Sequence, residues 1–325
     1  MKNIVIIGGG TGTFTLLLGL RKYPSNNSVI VSSADDGGST GILRKDLGVF
    51  PPGDIRQCLV GLSYTQDEMQ KLFNFRFDKG SLAGHTAGNI IIAALEKITG
   101  NTEKAIEIAS KMLNVRGQVL PVSLEPATLS AILEGGKKIV GEHNIDEPKQ
   151  KLEVRIKKLE LSPNVRANPK AMEALKAADV IIFGPGDLYT SILPNLLVKG
   201  IKEAINKSKA KKVLVTNIMT KFGQTDGFKV SNFVSEMEKY LGGKLDVAIV
   251  NNKVPAAKLL KRYGQEKAKP VGVDSGILKK LKVRVVEANL LSDKVFGKSN
   301  GDKLKRSFLR HDSDKLAKLI WGIIN

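Results

Sequence analysis

Ile4-Val5-Ile6-Ile7-Gly8-Gly9-Gly10-Thr11-Gly12-Thr13 is the stretch on which the fold turns. Four apolar residues without polar alternation read as a strand buried on both faces, as in parallel sheets. The run breaks into glycines, and Leu16, Leu17, Leu18 and Leu20 follow, as expected of a helix packed on that sheet. A second short strand over 28–34 leads into Asp35 and Asp36. Residues 3–34 therefore read as β-α-β, with glycines at the first turn and carboxylates at the end of the second strand.

Working outward, helices are expected over 54–63, 67–75, 89–98 and 102–113, with Asp54 and Thr102 as N-caps. Residues 115–165 change character. Runs at 118–122, 128–133, 137–142 and 152–161 have β composition, and Glu134-Gly135-Gly136 joins two of them as a hairpin would. We read this stretch as a β-rich inserted subdomain. The α/β rhythm then returns, with helices over 169–177, 192–206 and 314–324 and strands over 179–184, 212–217, 245–251 and 283–288. The expected architecture is α/β: a Rossmann-like, doubly wound, mostly parallel sheet with a β-rich insertion, in one domain over 1–325.

Composition narrows the function classes. With 325 residues, 42% of them hydrophobic, the chain can bury a large core. No apolar run reaches the roughly 18–20 residues that span a bilayer, so no membrane span is expected. A single cysteine, Cys58, excludes an internal disulfide framework and a cysteine-based metal cluster, and a cytoplasmic location is expected. Cys58 stands among Leu59, Val60 and Leu62 and reads as core. The net charge of +19 invites a nucleic-acid reading. Aromatics make up only 5%, lysines are scattered, and no zinc-finger or RNA-binding signature is present, so nucleic acid is not the expected partner. A positive field would still speed the arrival of an anionic ligand.

The chemistry-bearing residues form ordered groups. Gly9, Gly10, Thr11, Gly12 and Thr13 resemble a dinucleotide turn with Thr13 in place of its last glycine, and equally a phosphate nest at a helix N-terminus. No Gly-Lys-Ser/Thr follows, so this is not a P-loop. Asp35 and Asp36 fit ribose hydroxyls, or together a Mg²⁺ ion. Gly37-Gly38-Ser39-Thr40-Gly41 offers a second glycine turn with hydroxyls. Arg56, one turn into the helix after Pro51-Pro52-Gly53, suits a phosphate or carboxylate. His85 and Asn89 flank the start of the next helix; His85 has no neighbouring ligand residues for a metal. Gly184, Gly186, Asp187 and Thr190 form another glycine turn after a buried strand, and Asn217 and Thr220 end the strand beyond it. Two such turns bracket a crevice at the carboxyl edge of a doubly wound sheet. A nicotinamide-dependent dehydrogenase fits the first turn and Asp35, but no hydride-transfer pair accompanies them.

Taken in order, Gly8–Gly12, Ala34–Gly41, Pro51–Arg56, Gly84–Asn89, Asn168-Pro169, Gly184–Val198, Asn217–Thr220 and Arg310-His311-Asp312 resemble the CofD-like superfamily, and within it the YvcK branch of gluconeogenesis factors. The enzyme branch, the 2-phospho-L-lactate transferases, moves a phospholactyl group from a guanosine diphosphate conjugate to a deazaflavin alcohol with Mg²⁺. The YvcK-like branch has no established reaction. It is similar to UDP-sugar binders, UDP-N-acetylglucosamine in particular, and acts in cell shape and envelope maintenance during gluconeogenic growth. The double aspartate and the Pro-Pro-Gly-Asp-Ile-Arg run favour this branch.

The resemblance implies a regulatory UDP-sugar binder that requires no cofactor, with its diphosphate on Gly9–Thr13 and Gly184–Asp187. Under the alternative, a Mg²⁺-dependent transferase, Asp35 and Asp36 hold the metal. Two positions depart from the family pattern. Gln57 stands where asparagine is common, and Lys221-Phe222-Gly223-Gln224 replaces Gln-Pro-Gly-Glu, which removes an acid that loop would lend to a metal. A homodimer through the insert is compatible with this reading, and the downstream protein partner is not specified by it.

Overall fold

The continuous apolar strands of the sequence become a seven-stranded sheet in which every neighbouring pair is parallel. The protein is described here by a computed structural model covering residues 1–65, 67–148, 154–296 and 307–324. The sheet strands are β1 (Lys2–Ile7), β2 (Ser25–Val31), β3 (Gln118–Pro121), β7 (Val180–Phe183), β8 (Lys211–Val215), β9 (Val247–Asn251) and β10 (Arg284–Ala288). Their order is β10-β9-β8-β7-β1-β2-β3. The chain winds outward from β1 in one direction, then restarts at β7 and winds in the other. The carboxyl ends of β1 and β7 are therefore the topological switch point, where a crevice must open.

Alternate strand residues feed two layers. Ile4 and Ile6 face helices α1 (Gly10–Leu20), α3 (Pro52–Gly61), α5 (Ala87–Thr99), α6 (Thr102–Met112) and α14 (Ser313–Ile324). Val5 and Ile7 face α8 (Pro169–Ala177), α9 (Leu193–Leu196), α10 (Ile201–Lys207) and α11 (Val230–Leu241). Cys58 lies fully buried in the first layer, where burial pushes its thiol well up, as befits a core residue. The remaining helices are α2 (Gly38–Leu47), α4 (Asp67–Asn74), α7 (Glu142–Asp146), α12 (Ala257–Gln265) and α13 (Ser275–Leu281).

A separate antiparallel sheet, β5-β4-β6, comprises β4 (Thr128–Leu133), β5 (Lys138–Val140) and β6 (Ile156–Ser162). Gly135 and Gly136 both take positive φ in the β4–β5 turn. Leu129, Leu159 and Ile145 pack into the same core as β1 and β7, and the Tyr240 hydroxyl of α11 accepts a hydrogen bond from the Leu159 amide at 2.7 Å.

Local differences from the sequence reading have physical causes. Gln118–Pro121 pairs in parallel with β2 and belongs to the main sheet, so the inserted strands begin at Thr128 rather than at 115. The 137–142 run is a strand only to Val140, and Glu142 opens α7 instead. Residues 152 and 153 of the expected 152–161 run lie outside the described residues. Gly37–Gly41 is not a simple turn: Gly38 begins α2, which ends on left-handed Gly48. Asn101, not Thr102, caps α6, accepting from the Lys104 amide at 2.9 Å; the Thr102 hydroxyl donates to Glu96 Oε1 instead. Asp54 sits in the first turn of α3, which Pro51 precedes, and its carboxylate lies against Gly9.

Candidate functional site

The amides of Gly8 and Gly184 donate to Ile30 and Ile7 (3.1 and 2.9 Å), so the two glycine turns leave the sheet side by side. The turns touch closely. A Cβ built on Gly12 would lie 2.4 Å from the Pro185 carbonyl oxygen, a distance only glycine permits. Gly10 takes φ +67°, which glycine adopts without strain. Above these turns lies a cavity of about 560 Å³, within the range of small-molecule sites.

Three helices begin at this cavity. Gly9–Gly12 at the start of α1, Ser39 and Thr40 in the first turn of α2, and Gly53 and Asp54 in that of α3 all line it. Their N-cap residues, Gly9, Gly37 and Pro51, provide no side-chain oxygen to the first-turn amides. Side-chain caps are present on α5 (Thr86), α6 (Asn101) and α8 (Asn168), whereas α7, α10, α12 and α13 also do without one. A helix N-terminus carries about half a positive charge and orphan N–H groups. Three of them at one cavity make a setting for an anion.

Most of the residues singled out in the sequence line this cavity. Gly9, Gly10, Thr11, Gly12, Asp35, Ser39, Thr40, Arg56, Asn89, Gly186, Asp187, Thr190, Asn217 and Thr220 do so. Four stand behind it. The Thr13 hydroxyl is buried against the Pro185 carbonyl (3.4 Å), and Gly184 shapes its turn at φ +79°. His85 Nδ1 is 3.0 Å from the Ser39 hydroxyl, which also accepts from Asn89 Nδ2 at 3.1 Å. Arg56 completes this network: it is 95% buried, and its Nε donates to Asn89 Oδ1 at 2.9 Å. Its Nη1 donates to Asn74 Oδ1 at 2.5 Å. Arg56 is thus no surface arginine but a buried charge held at the cavity wall.

Asp36 is the fourth. Its Oδ1 accepts from the His143 amide at 2.7 Å, at the start of α7, whereas Asp35 Oδ1 accepts from the Gly37 amide at 3.0 Å and faces the cavity. The two carboxylates thus have different partners, and only Asp35 lines the cavity. Among the described residues no three His, Cys, Asp or Glu side chains are grouped to hold a metal.

Other residues enter that the sequence reading did not choose. Glu142 and Asp146 come from α7, Lys221 from the loop after β8, and Arg310 and His311 from the segment before α14. Burial, reinforced by the charges of Asp35, Asp146 and Asp54, holds the Glu142 carboxyl well above the usual range. Asp35 is likewise raised, chiefly by burial, against the Gly37 amide and the Thr40 hydroxyl. Burial also raises Asp187, against the attraction of Lys221. Asp146 is lowered: burial opposes, but Lys221, Thr190 and Gln224 together outweigh it. His311 is 94% buried, its Nε2 has no hydrogen-bond partner, and burial lowers its imidazole to about 4, so it is neutral at pH 7. Arg310-His311-Asp312 was visible in the sequence as a shared motif, but nothing local said that it faced a ligand. No residue-type pattern marked α7.

The profile of the family described as 2-phospho-L-lactate transferase CofD matches residues 4–291. The chain is 40% identical over 324 residues to the gluconeogenesis factor of Bacillus subtilis (strain 168), covering 99% of this chain and 98% of that one. It is 40% identical over 322 residues to the gluconeogenesis factor of Halalkalibacterium halodurans, covering 98% and 95%. The crystal structure of a UPF0052 family member from Bacillus halodurans superposes with a TM-score of 0.90 at 39% identity over 98% of each chain.

Proposed function

The chain belongs to the CofD family, among the proteins named gluconeogenesis factors, and from that footing we propose that it is a UDP-sugar-binding regulator acting in the cytoplasm. The ligand of this reading is UDP-N-acetylglucosamine, and its binding serves cell shape and envelope maintenance under gluconeogenic growth. The observation that carries the proposal is the meeting of three helix N-termini, without side-chain caps of their own, at one cavity of nucleotide-sugar size. In this reading the diphosphate lies along Gly9–Gly12 and Gly186, and Asp35 and Asn217 meet hydroxyl or base edges. His311 Nε2, buried and unpartnered, supplies a neutral polar contact to the same ligand.

Isothermal titration with UDP-N-acetylglucosamine, with and without Mg²⁺, tests this. Binding near about 1–10 μM that weakens in Asn217→Ala supports the reading. No heat at millimolar ligand refutes it. The transferase alternative draws on the name of the matching family. Its signature is Mg²⁺-dependent nucleotide release from a nucleoside diphosphate conjugate; absence of release with every acceptor alcohol tried removes it.

A further inference from the structure

We propose that the Lys221 ammonium is a resident cation of this cavity, occupying the place between two carboxylates that a divalent metal ion would need. The proposal rests in part on the nucleotide-sugar reading above.

Two carboxylates that converge in this cavity are Asp146 and Asp187, and Lys221 stands between them. Its Nζ lies 2.9 Å from Asp187 Oδ2 and donates to Asp146 Oδ1. The three residues arrive from α7, from the turn after β7 and from the loop after β8. The Asp146 carboxylate and the Asp187 backbone, whose carbonyl accepts from the Ser191 amide at 2.9 Å, are further held. Asp146 Oδ1 accepts from the Thr190 hydroxyl at 3.1 Å, and Asp187 precedes the π-helical turn Leu188–Ile192. The Lys221 backbone is fixed as well: its amide donates to Thr225 Oγ1 at 2.8 Å, and its carbonyl accepts from the Thr225 amide at 2.9 Å. The lysine side chain is 30% exposed and lines the cavity.

The chemistry follows from the donor count. An ammonium has three N–H donors and a fixed single charge. Two donors go to the carboxylates, and one remains for an oxygen of an incoming ligand. A metal ion entering between Asp146 and Asp187 would have to displace the ammonium and leave it stranded beside a dication. With Lys221 between Asp146 and Asp187, this chain keeps one fixed positive charge where metal-dependent nucleotide sites use an exchangeable one. The consequence is metal-independent recognition of a diphosphate, with Lys221 as a positioning and charge-balancing residue.

The test uses the whole protein and two readouts. In the first, Mn²⁺ is titrated without nucleotide and followed by the electron paramagnetic resonance of the free ion. Wild type is expected to leave the Mn²⁺ signal unchanged. Lys221→Gln is expected to gain a Mn²⁺ site, and Lys221→Gln with Asp146→Asn to lose it again. In the second, UDP-N-acetylglucosamine binding is measured in EDTA and in Mg²⁺. Wild type should bind equally in both. Lys221→Gln should bind about tenfold more weakly in EDTA and recover in Mg²⁺. Mn²⁺ binding by wild type that Asp146→Asn removes, or no gain of Mn²⁺ by Lys221→Gln, overturns the proposal. Lys221→Arg, which keeps the charge, reports folding: it should melt with wild type and remain Mn²⁺-silent. If no protein binds the nucleotide sugar, the functional reading falls while the Mn²⁺ titration still decides the role of Lys221.

Discussion

Gly12→Ala is the substitution whose effect follows most directly from the geometry. Gly12 lies in the first turn of α1, and a Cβ there would sit 2.4 Å from the Pro185 oxygen and 2.8 Å from its carbonyl carbon. Both atoms are backbone, so no side-chain rotation relieves the overlap. Either α1 shifts away from the turn after β7, or that turn deforms beside Ile192 and Val215, which a Cβ built on Gly184 would meet at 3.0 and 3.3 Å. Overpacking of this kind costs about 1–3 kcal/mol, and alanine returns up to about 1 kcal/mol through its helix preference. A backbone overlap belongs at the upper end, leaving a net loss of about 2 kcal/mol and a Tm lower by about 3 °C. Gly322, inside α14, is the internal control, because no atom lies within 4 Å of a Cβ built there. Gly322→Ala should be neutral or stabilising by up to about 1 kcal/mol. Urea unfolding of the three proteins side by side measures both differences. If Gly12→Ala and Gly322→Ala respond alike, the close approach of the two turns is not the reason for Gly12. Nucleotide-sugar affinity should fall at least about tenfold in Gly12→Ala, since both turns of the phosphate cradle move together.

Three further outcomes are expected. Arg56→Ala strips a hydrogen-bond partner from Asn89 and Asn74 in a buried network, and should lower unfolding stability by about 3 kcal/mol in urea titration. His311, lowered to about 4 by burial, takes up its proton more readily unfolded, so stability should be full above about pH 6.5 and fall progressively toward pH 4. The loss amounts to about 3 kcal/mol, and His311→Gln should flatten that part of the pH profile in thermal melts. Glu142 and Asp35 are raised, chiefly by burial, so their charges develop only above the ordinary carboxylate range and then repel a diphosphate; affinity should weaken as pH climbs, with a shallower slope in Glu142→Gln by calorimetry.

Much of the framework was legible because it is written in local periodicity. Ile4–Ile7 and the run around Val180–Phe183 are apolar on both faces and could be little other than buried parallel strands. Helix α2 was not legible as a helix, since Gly38 and Gly41 in its first turns argue for a loop. Context overrides that preference: Leu43 is buried against Val49 and Ala93, and a Cβ on Gly41 would meet the Asp36 carbonyl oxygen at 2.0 Å. Gln118–Pro121 reads as part of the insert because four residues of β character look alike in either sheet. Only the pairing with β2 distinguishes them.

The same boundary between local and non-local information divides the site. Gly9–Gly12, Asp35, Ser39 and Arg56 lie within sixty residues of the N-terminus, on the β1-α1-β2 unit and the two helices that follow it, so their convergence is largely local. Lys221 converges with them because β7 pairs with β1 rather than with β3, which brings the loops after β7 and β8 beside the first glycine turn, while Asp146 arrives from α7 and His311 from the segment before α14. Asp36 shows the limit from the other side. Its neighbour Asp35 faces the cavity, yet its own carboxylate is drawn to the amide of His143, 107 residues away. A carboxylate at the end of a strand is therefore a candidate for two unlike partners, a ligand or the first orphan amide of a helix packed above it. Adjacent aspartates in sequence are not a metal pair until the fold has claimed neither of them.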